Sequence, residues 1–384
     1  MARLSILVEG WRGINHSYAL VNQYQLLQLK GVSGIDLFHK DVPFHFAHWN
    51  VKKNYSGLTF EQHQKIVDIP NYDRQNPPDV IYRISSPYNY SDSTAKRIFV
   101  FGPPEDQNLA GKFFGATVNE AISNEKFKII TPSNWSSQAF LRAGFPAEKI
   151  HIVTHGVDPD LFLAGDEERR SKFRAALGVK DDDFVLLSVS ALTWNKGPDI
   201  LIQAFAKLRQ KNKNLKLVIK DQNNLYGIHG KDFIKVFQKN SSSAELSEEI
   251  LRSIIFLSEN LSLAQLQGLY LASDCYVSPY RSEGFNLPPL EASACGIPVI
   301  VTRGGPTDDY FPDLIGAQVE SSIVSNGDSI HLEPNMDDLI YQIEKMINAN
   351  AFSADEKLKL SHKIREKYSW EKVSKSLLRV MAKA

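Results

Sequence analysis

The chain has 384 residues, of which 43% are hydrophobic, 23% charged and 10% aromatic, and its 44 lysines and arginines balance 44 aspartates and glutamates for a formal net charge of +0. One hydrophobic core stops growing near roughly 250–300 residues, so two domains are expected; the charge balance argues against a general nucleic-acid binder, which needs a basic excess to neutralise phosphates. No apolar run approaches roughly 18 residues, so no transmembrane helix is expected, and MARLSILVEG turns polar and charged too soon for a secretory signal.

Short β-branched or aromatic runs alternate with helical patterns along the whole chain, which predicts parallel α/β architecture. Leu4 to Val8 is the first strand, followed by the loop Glu9-Gly-Trp-Arg-Gly-Ile-Asn15. Leu20, Tyr24, Leu27 and Leu29 then fall at roughly helical spacing. Further strands are predicted at Val80 to Ile84, Arg97 to Phe101, Lys128 to Thr131 and Ile150 to Thr154, with Ser133 capping a helix that runs to Arg142 and stops at Gly144. The polar stretch around residues 155–170 reads as the domain boundary. The pattern restarts with Phe184 to Val189 and a helix opened by Gly197-Pro198, whose Leu201, Ala204, Phe205 and Leu208 share one face. Strands Lys216 to Lys220, Ile254 to Leu257, Cys275 to Ser278 and Val299 to Thr302 follow, then a last helix from Trp370 to Met381. The two cysteines, Cys275 and Cys295, lie in apolar segments and read as buried free thiols of a reducing compartment, which makes the protein cytoplasmic.

The most informative segment is Tyr280-Arg-Ser-Glu-Gly-Phe-Asn-Leu-Pro-Pro-Leu-Glu-Ala-Ser-Ala-Cys-Gly296, which follows a predicted strand and opens a helix at Pro288 or Pro289. Backbone N–H groups of Gly284 to Leu287 then stand at the positive end of the helix dipole, where an anion such as phosphate is favoured. Glu283 lies in the loop and Glu291 about one turn inside the helix. Two carboxylates are poor phosphate ligands but good acceptors for sugar hydroxyls on either side of one. A nucleotide sugar, with a hexose at one end and a ribose at the other, asks for that arrangement.

Glu283-x7-Glu291 within EGFNLPPLEASACGIPVIVT resembles the signature of the retaining glycosyltransferases of family four. PSNWSSQAFLRAGFPAEKIHIVTHGVDPDLF, SALTWNKGPDILIQAF, LSLAQLQGLYLASDCYVSPYRSEGF and YSWEKVSKSLL agree in the right order. The resemblance spans nearly all of the second half and is diffuse through residues 30–125. It implies an α/β GT-B fold, in which two Rossmann-like domains with parallel sheets face each other across a cleft. Residues 1–160 would form the acceptor-side domain and 161–364 the nucleotide-sugar domain, with 365–384 a helix packing back on the first. By position, the resemblance implies that Glu291 accepts hydrogen bonds from the ribose and Glu283 contacts hydroxyls of the transferred sugar. Amides around Phe285, Asn286 and Leu287 would hold the sugar and distal phosphate. Asn286 replaces a frequent glycine, and its amide is expected to tune sugar choice. Leu261 stands where a residue packs near the base, though an ordinary core leucine reads equally well.

Breaking a sugar–diphosphate bond leaves negative charge on the diphosphate, and a cation about 4 Å away is worth on the order of 4 kcal/mol at an effective dielectric near 20. Lys196 in Trp194-Asn-Lys-Gly-Pro198 matches the family's cationic position. The arginine usually five or six residues earlier is missing, since Ser190 and Ala191 stand there. Lys220, at a strand end, is the candidate substitute, and Arg12 with the Gly13 backbone is expected to add donors from the first domain. The family's acceptor-side histidine is also missing: the strand ending at Phe101 runs into Gly102-Pro-Pro-Glu105. Glu105 or His16 is expected to position the acceptor, although His16 reads as readily as a local helix-start residue. In the front-face route the departing phosphate takes the acceptor proton, so no protein base is compulsory.

No HExxH, CxxC or spaced Asp/His set suggests a metal, and no cofactor is implied beyond the donor, a UDP-sugar. The expected activity is retaining, metal-independent transfer of a hexose, preferably from UDP-glucose, to a saccharide or lipid-linked saccharide in exopolysaccharide or glycolipid assembly. Peripheral contact with the inner face of a membrane is open, since the helix near residues 18–29 could touch lipid or equally bury its apolar face on the sheet. A dinucleotide-dependent oxidoreductase would need G-x-G-x-x-G after strand one, and Gly10-Trp-Arg-Gly13 lacks it. A catalytically silent glycosyltransferase-like assembly protein is the alternative, motivated by the missing arginine and histidine.

Overall fold

The computed structural model describes residues 3–52, 56–165, 167–240, 246–349 and 352–383. Asp166, within the polar stretch read as a boundary, lies outside them. Contacts group the chain into two units, one of Met1–Gly156 with Gly327–Ser329 and Trp370–Ala384, the other of Val157–Asn326 with Ile330–Ser369.

In the first unit the strands are β1 (Leu4–Gly10), β2 (Ile35–Asp41), β3 (Val80–Ile84), β4 (Tyr88–Asn89), β5 (Arg97–Phe101), β6 (Phe113–Phe114), β7 (Phe127–Thr131) and β8 (Ile150–Ile152). Six of them form a parallel sheet in the order β2-β1-β3-β5-β7-β8, and β4 pairs with β6 apart from it. The predicted strands are all present, but β2, β4 and β6 were not foreseen. The sequence of β2, IDLFHKD, mixes charge into a strand at the edge of the sheet, where charged side chains are common. The helix Ser17–Leu29 is buried almost all round from Ala19 to Leu26, including Asn22, Gln23 and Gln25, so little of it is left to meet a membrane. Leu26, not Leu27, is on its innermost face. Within this buried surface Asn22 donates through Nδ2 to the Trp11 carbonyl at 2.8 Å. The C-terminal helix Trp370–Lys383 belongs to this unit, and its buried Trp370 stacks on Tyr24 with ring centroids 5.2 Å apart and planes 4° from parallel.

The second unit contains β9 (Phe184–Val189), β10 (Leu215–Lys220), β11 (Ile254–Leu257), β12 (Cys275–Ser278), β13 (Val299–Thr302) and β14 (Gly316–Val319) in a parallel sheet ordered β11-β10-β9-β12-β13-β14. Strands β15 (Ser321–Asn326) and β16 (Ser329–Pro334) pair with each other. The helix Pro198–Lys211 lays Leu201, Ala204, Phe205 and Leu208 on this sheet's core, as its periodicity predicts, together with Leu217, Ile219, Val277 and Ile300. Cys275 and Cys295 are unpaired and buried. Among the described residues, no helix is long and apolar enough to cross a membrane.

Sheet order decides where a site can form. From β9 the second sheet grows outward in both directions, through β10 and β11 on one side and through β12 to β14 on the other. The connections leaving β9 and β12 therefore diverge, and between their carboxyl ends lies the crevice where open α/β sheets bind ligands.

Candidate active site

The loops after β9 and β12 carry Lys196 and Glu283, the two residues singled out for the donor's phosphate and sugar. Lys196 ends a three-residue 3-10 turn, Trp194–Lys196, which Gly197 caps in the left-handed region at φ 70°. A Cβ on Gly197 would stand 2.1 Å from the Pro279 carbonyl oxygen, so only glycine lets the two loops approach this closely. The Arg281 and Ser282 amides both donate to the Asn195 carbonyl, at 2.8 and 3.1 Å, and join the loops through main chain. Across this seam Lys196 Nζ meets Glu283 Oε2 at 2.9 Å, with side chains 15% and 14% exposed.

After β12 the chain reaches Asn286 at φ 65°, then turns into the helix Leu287–Ala294. Asparagine is among the few residues other than glycine that adopt this conformation readily. Its side chain is buried and donates through Nδ2 to Ser278 Oγ at 3.0 Å. That amide donor, expected to tune sugar choice, is thus engaged with the end of its own strand. Tyr310, also buried, donates its hydroxyl to the Asn286 and Phe285 carbonyls at 2.5 and 3.3 Å and supports the loop. Pro288 and Pro289 occupy the first turn of the helix and have no N–H, so the helix itself adds its dipole and the Leu287 amide, and any further donors must come from Gly284 to Asn286.

Glu291 lies in the middle of that helix and is 5% exposed. Its Oε2 accepts the Tyr270 hydroxyl at 2.7 Å. Burial pushes its pKa up from 4.5 to about 7, against the opposing pull of the Tyr270 hydrogen bond. Tyr270 was not foreseen; it lies 21 residues away, and neither residue's local pattern announces the pairing.

Lys220 is the last residue of β10, next to the β9 loop, since the Ser190 amide donates to its carbonyl at 3.1 Å. The side chain is buried and its ammonium donates to the Asp221 carbonyl; burial lowers its pKa. Leu261 is half-buried in the loop after β11. Lys196, Lys220, Leu261 and Glu283 to Leu287 therefore all stand at the carboxyl ends of β9 to β12, and Lys196 and Glu283 are brought into direct contact.

In the first unit, Arg12, Gly13 and His16 follow β1, and Glu105 follows β5. The expectation of donors from Arg12 and Gly13 meets a different arrangement. Arg12 makes a bidentate pair with Asp41, at 2.8 and 2.9 Å, and a third bond to the Ile66 carbonyl. The Gly13 amide donates to Gln23 Oε1 at 2.6 Å. Three N–H groups of Arg12 and the Gly13 amide thus find acceptors within their own unit, on Asp41, Ile66 and Gln23. His16 caps that helix, its Nδ1 accepting the Tyr18 amide at 3.2 Å, and its ring lies 4.8 Å from that of Trp49. Glu105 is half-buried, and its carbonyl accepts the Trp135 indole N–H at 2.7 Å.

The sequence matches the family described as "Glycosyl transferases group 1" over residues 169–366, just over half of the chain. It is 26% identical over 238 residues to an uncharacterised glycosyltransferase of Methanocaldococcus jannaschii, a match covering 61% of the chain and 54% of that protein. It is also 26% identical over 216 residues to the GDP-mannose-dependent alpha-(1-6)-phosphatidylinositol monomannoside mannosyltransferase of Mycolicibacterium smegmatis, covering 54% of the chain and 53% of the relative. The chain thus spans about half the length of these curated relatives. Among solved structures, Anabaena HepE in complex with UDP-glucose matches with a TM-score of 0.67 at 18% identity, over 100% of both chains. At that identity the likeness is one of fold, and the fold is the predicted one, GT-B with two Rossmann-like domains.

Proposed function

Because the chain belongs to the glycosyl transferases of group 1, we propose that it is a retaining hexosyltransferase that moves a hexose from a nucleoside diphosphate sugar, preferably UDP-glucose, to a hydroxyl of a saccharide or lipid-linked saccharide. The observation that carries this reading is the Lys196–Glu283 pair at the crevice between the β9 and β12 loops, beside the N-terminus of the Leu287–Ala294 helix. With donor bound, Lys196 would turn its charge to the diphosphate and Glu283 would accept from hydroxyls of the hexose, while the Leu287 amide and the helix dipole face the phosphate. Glu291 would accept from the ribose. The bond between C1 and the diphosphate oxygen breaks, the acceptor oxygen bonds C1 on the same face, and the acceptor's proton passes to the departing phosphate. Lys196, about 4 Å from that phosphate, would supply on the order of 4 kcal/mol at an effective dielectric near 20. In this reading charge on the leaving group is met without a metal ion. The free, buried cysteines support a reducing, cytoplasmic setting, with the acceptor at the inner face of a membrane if it is lipid-linked.

UDP-glucose is the bound ligand in HepE and GDP-mannose the donor of the mycobacterial relative, so the base is the point to test. Thermal unfolding with UDP, GDP, ADP and their glucose and mannose conjugates separates the cases. A ligand at a hundredfold excess over its dissociation constant stabilises by about 2.7 kcal/mol. The UDP series is expected to raise the melting temperature, and Glu291→Ala to abolish the rise. A larger response to GDP would move the assignment to a guanosine donor. No response to any nucleotide would support the silent assembly protein, and an inverted anomer in the product would defeat retention.

A further inference from the structure

We infer that Arg281 is a positioning residue, which holds the turn carrying Lys196 and the loop carrying Glu283 together as one body. Its guanidinium is 5% exposed as a residue and has five N–H donors, all of them used. Nη1 and Nη2 form a bidentate pair with Asp199, both at 2.8 Å, at the start of the Pro198–Lys211 helix. Nε and Nη2 form a second fork with Glu333 of β16, at 2.9 and 3.2 Å. Nη1 also donates to the Trp194 carbonyl at 3.0 Å, and Cζ lies 4.8 Å from the centroid of the Trp194 ring. The main chain of the same residue donates to the Asn195 carbonyl and accepts the Leu332 amide, each at 2.8 Å.

One residue therefore grips both flanks of Lys196, at Trp194 and Asn195 before it and Asp199 after it, and lies two positions from Glu283. The turn it grips is a single 3-10 turn, a conformation with weak hydrogen bonding of its own. With every donor occupied and two carboxylates around it, the guanidinium has nothing to offer a phosphate, so it is no substitute for the missing arginine. It acts through Lys196. Lysine cannot replace it, because an ammonium has three donors and no planar fork.

Two measurements on Arg281→Lys test this, and only the second rests on the proposed function. By amide hydrogen exchange, the amides of Lys196, Gly197, Arg281 and Ser282 are expected to exchange at least about tenfold faster than in the wild type, while those inside β9 and β12 stay within about twofold. Unchanged exchange at the four amides overturns the inference. Should Arg281→Lys not fold, Glu333→Gln removes one fork from the half-exposed side and is expected to speed the same four amides about threefold; no change there overturns it equally. The second measurement is the dissociation constant for UDP in Arg281→Lys, Lys196→Ala and the double variant. Each single variant is expected to weaken binding about tenfold, and the double variant to bind within about twofold of Lys196→Ala, because the arginine works through the lysine. Multiplying effects would reduce Arg281 to a general structural role. Failure of the wild type to bind UDP would count against the donor assignment alone, and the exchange result would still decide the role of Arg281.

Discussion

The surroundings of Glu291 change its acid–base chemistry. Burial in the helix Leu287–Ala294 pushes its pKa up to about 7 from 4.5, so between those two pH values the native protein holds a proton there that the unfolded chain releases. Stability from this group is present below pH 4.5 and is lost as pH rises through 7, at up to about 1.4 kcal/mol per pH unit. Relative to Glu291→Gln, whose side chain does not titrate, the wild type is expected to lose about 2–3 kcal/mol between pH 5 and pH 8 in urea unfolding. Parallel curves for the two proteins would show that the carboxyl is solvated. Lys196 and Glu283 show the opposite strategy. Each is only about one-seventh exposed, yet their 2.9 Å pairing gives each charge a partner before any ligand arrives.

At the scale of elements, the site depends on the close approach of two loops, and Gly197 sets that approach. A methyl group there would meet the Pro279 carbonyl oxygen at 2.1 Å and would force a left-handed φ on alanine. Gly197→Ala is expected to cost about 3 kcal/mol or more in chemical unfolding. It is also expected to weaken nucleotide binding, because the Arg281 and Ser282 amides could no longer reach the Asn195 carbonyl. Wild-type stability in this variant would show that the loops can separate freely. The Leu287–Ala294 helix has a related dependence. Its first turn contains two prolines, so its anchoring comes from outside, through Asn286 to Ser278 and Tyr310 to the preceding carbonyls.

For the whole molecule, the last helix is a structural part of the first unit although it follows the second in sequence. Trp370 is 1% exposed against Tyr24 of the helix Ser17–Leu29. Trp370→Ala is expected to destabilise the protein by about 3–5 kcal/mol, read from the denaturant midpoint. A change below about 1 kcal/mol would mean that the helix is a dispensable appendage.

Much of this was legible in the residues. β-Branched runs reported the central strands, and the i, i+3, i+4, i+7 spacing after Gly197-Pro198 identified the buried face of that helix, because burial imposes its period directly on the side chains. Lys196 and Glu283 were recognisable as loop residues after strands. Pairings across long sequence separations were not. Lys196 with Glu283, Arg281 with Asp199 and Glu333, Tyr270 with Glu291 and Arg12 with Asp41 join positions 21 to 87 residues apart. Local periodicity records whether a side chain is buried, not which strand will lie beside it. The amino-acid sequence alone determined the α/β class, the buried face of the Pro198–Lys211 helix and the family. Strand order, settled only when the chain collapses into sheets, decided which loops became neighbours, and so which charges met and which acceptors Arg12 and Gly13 found.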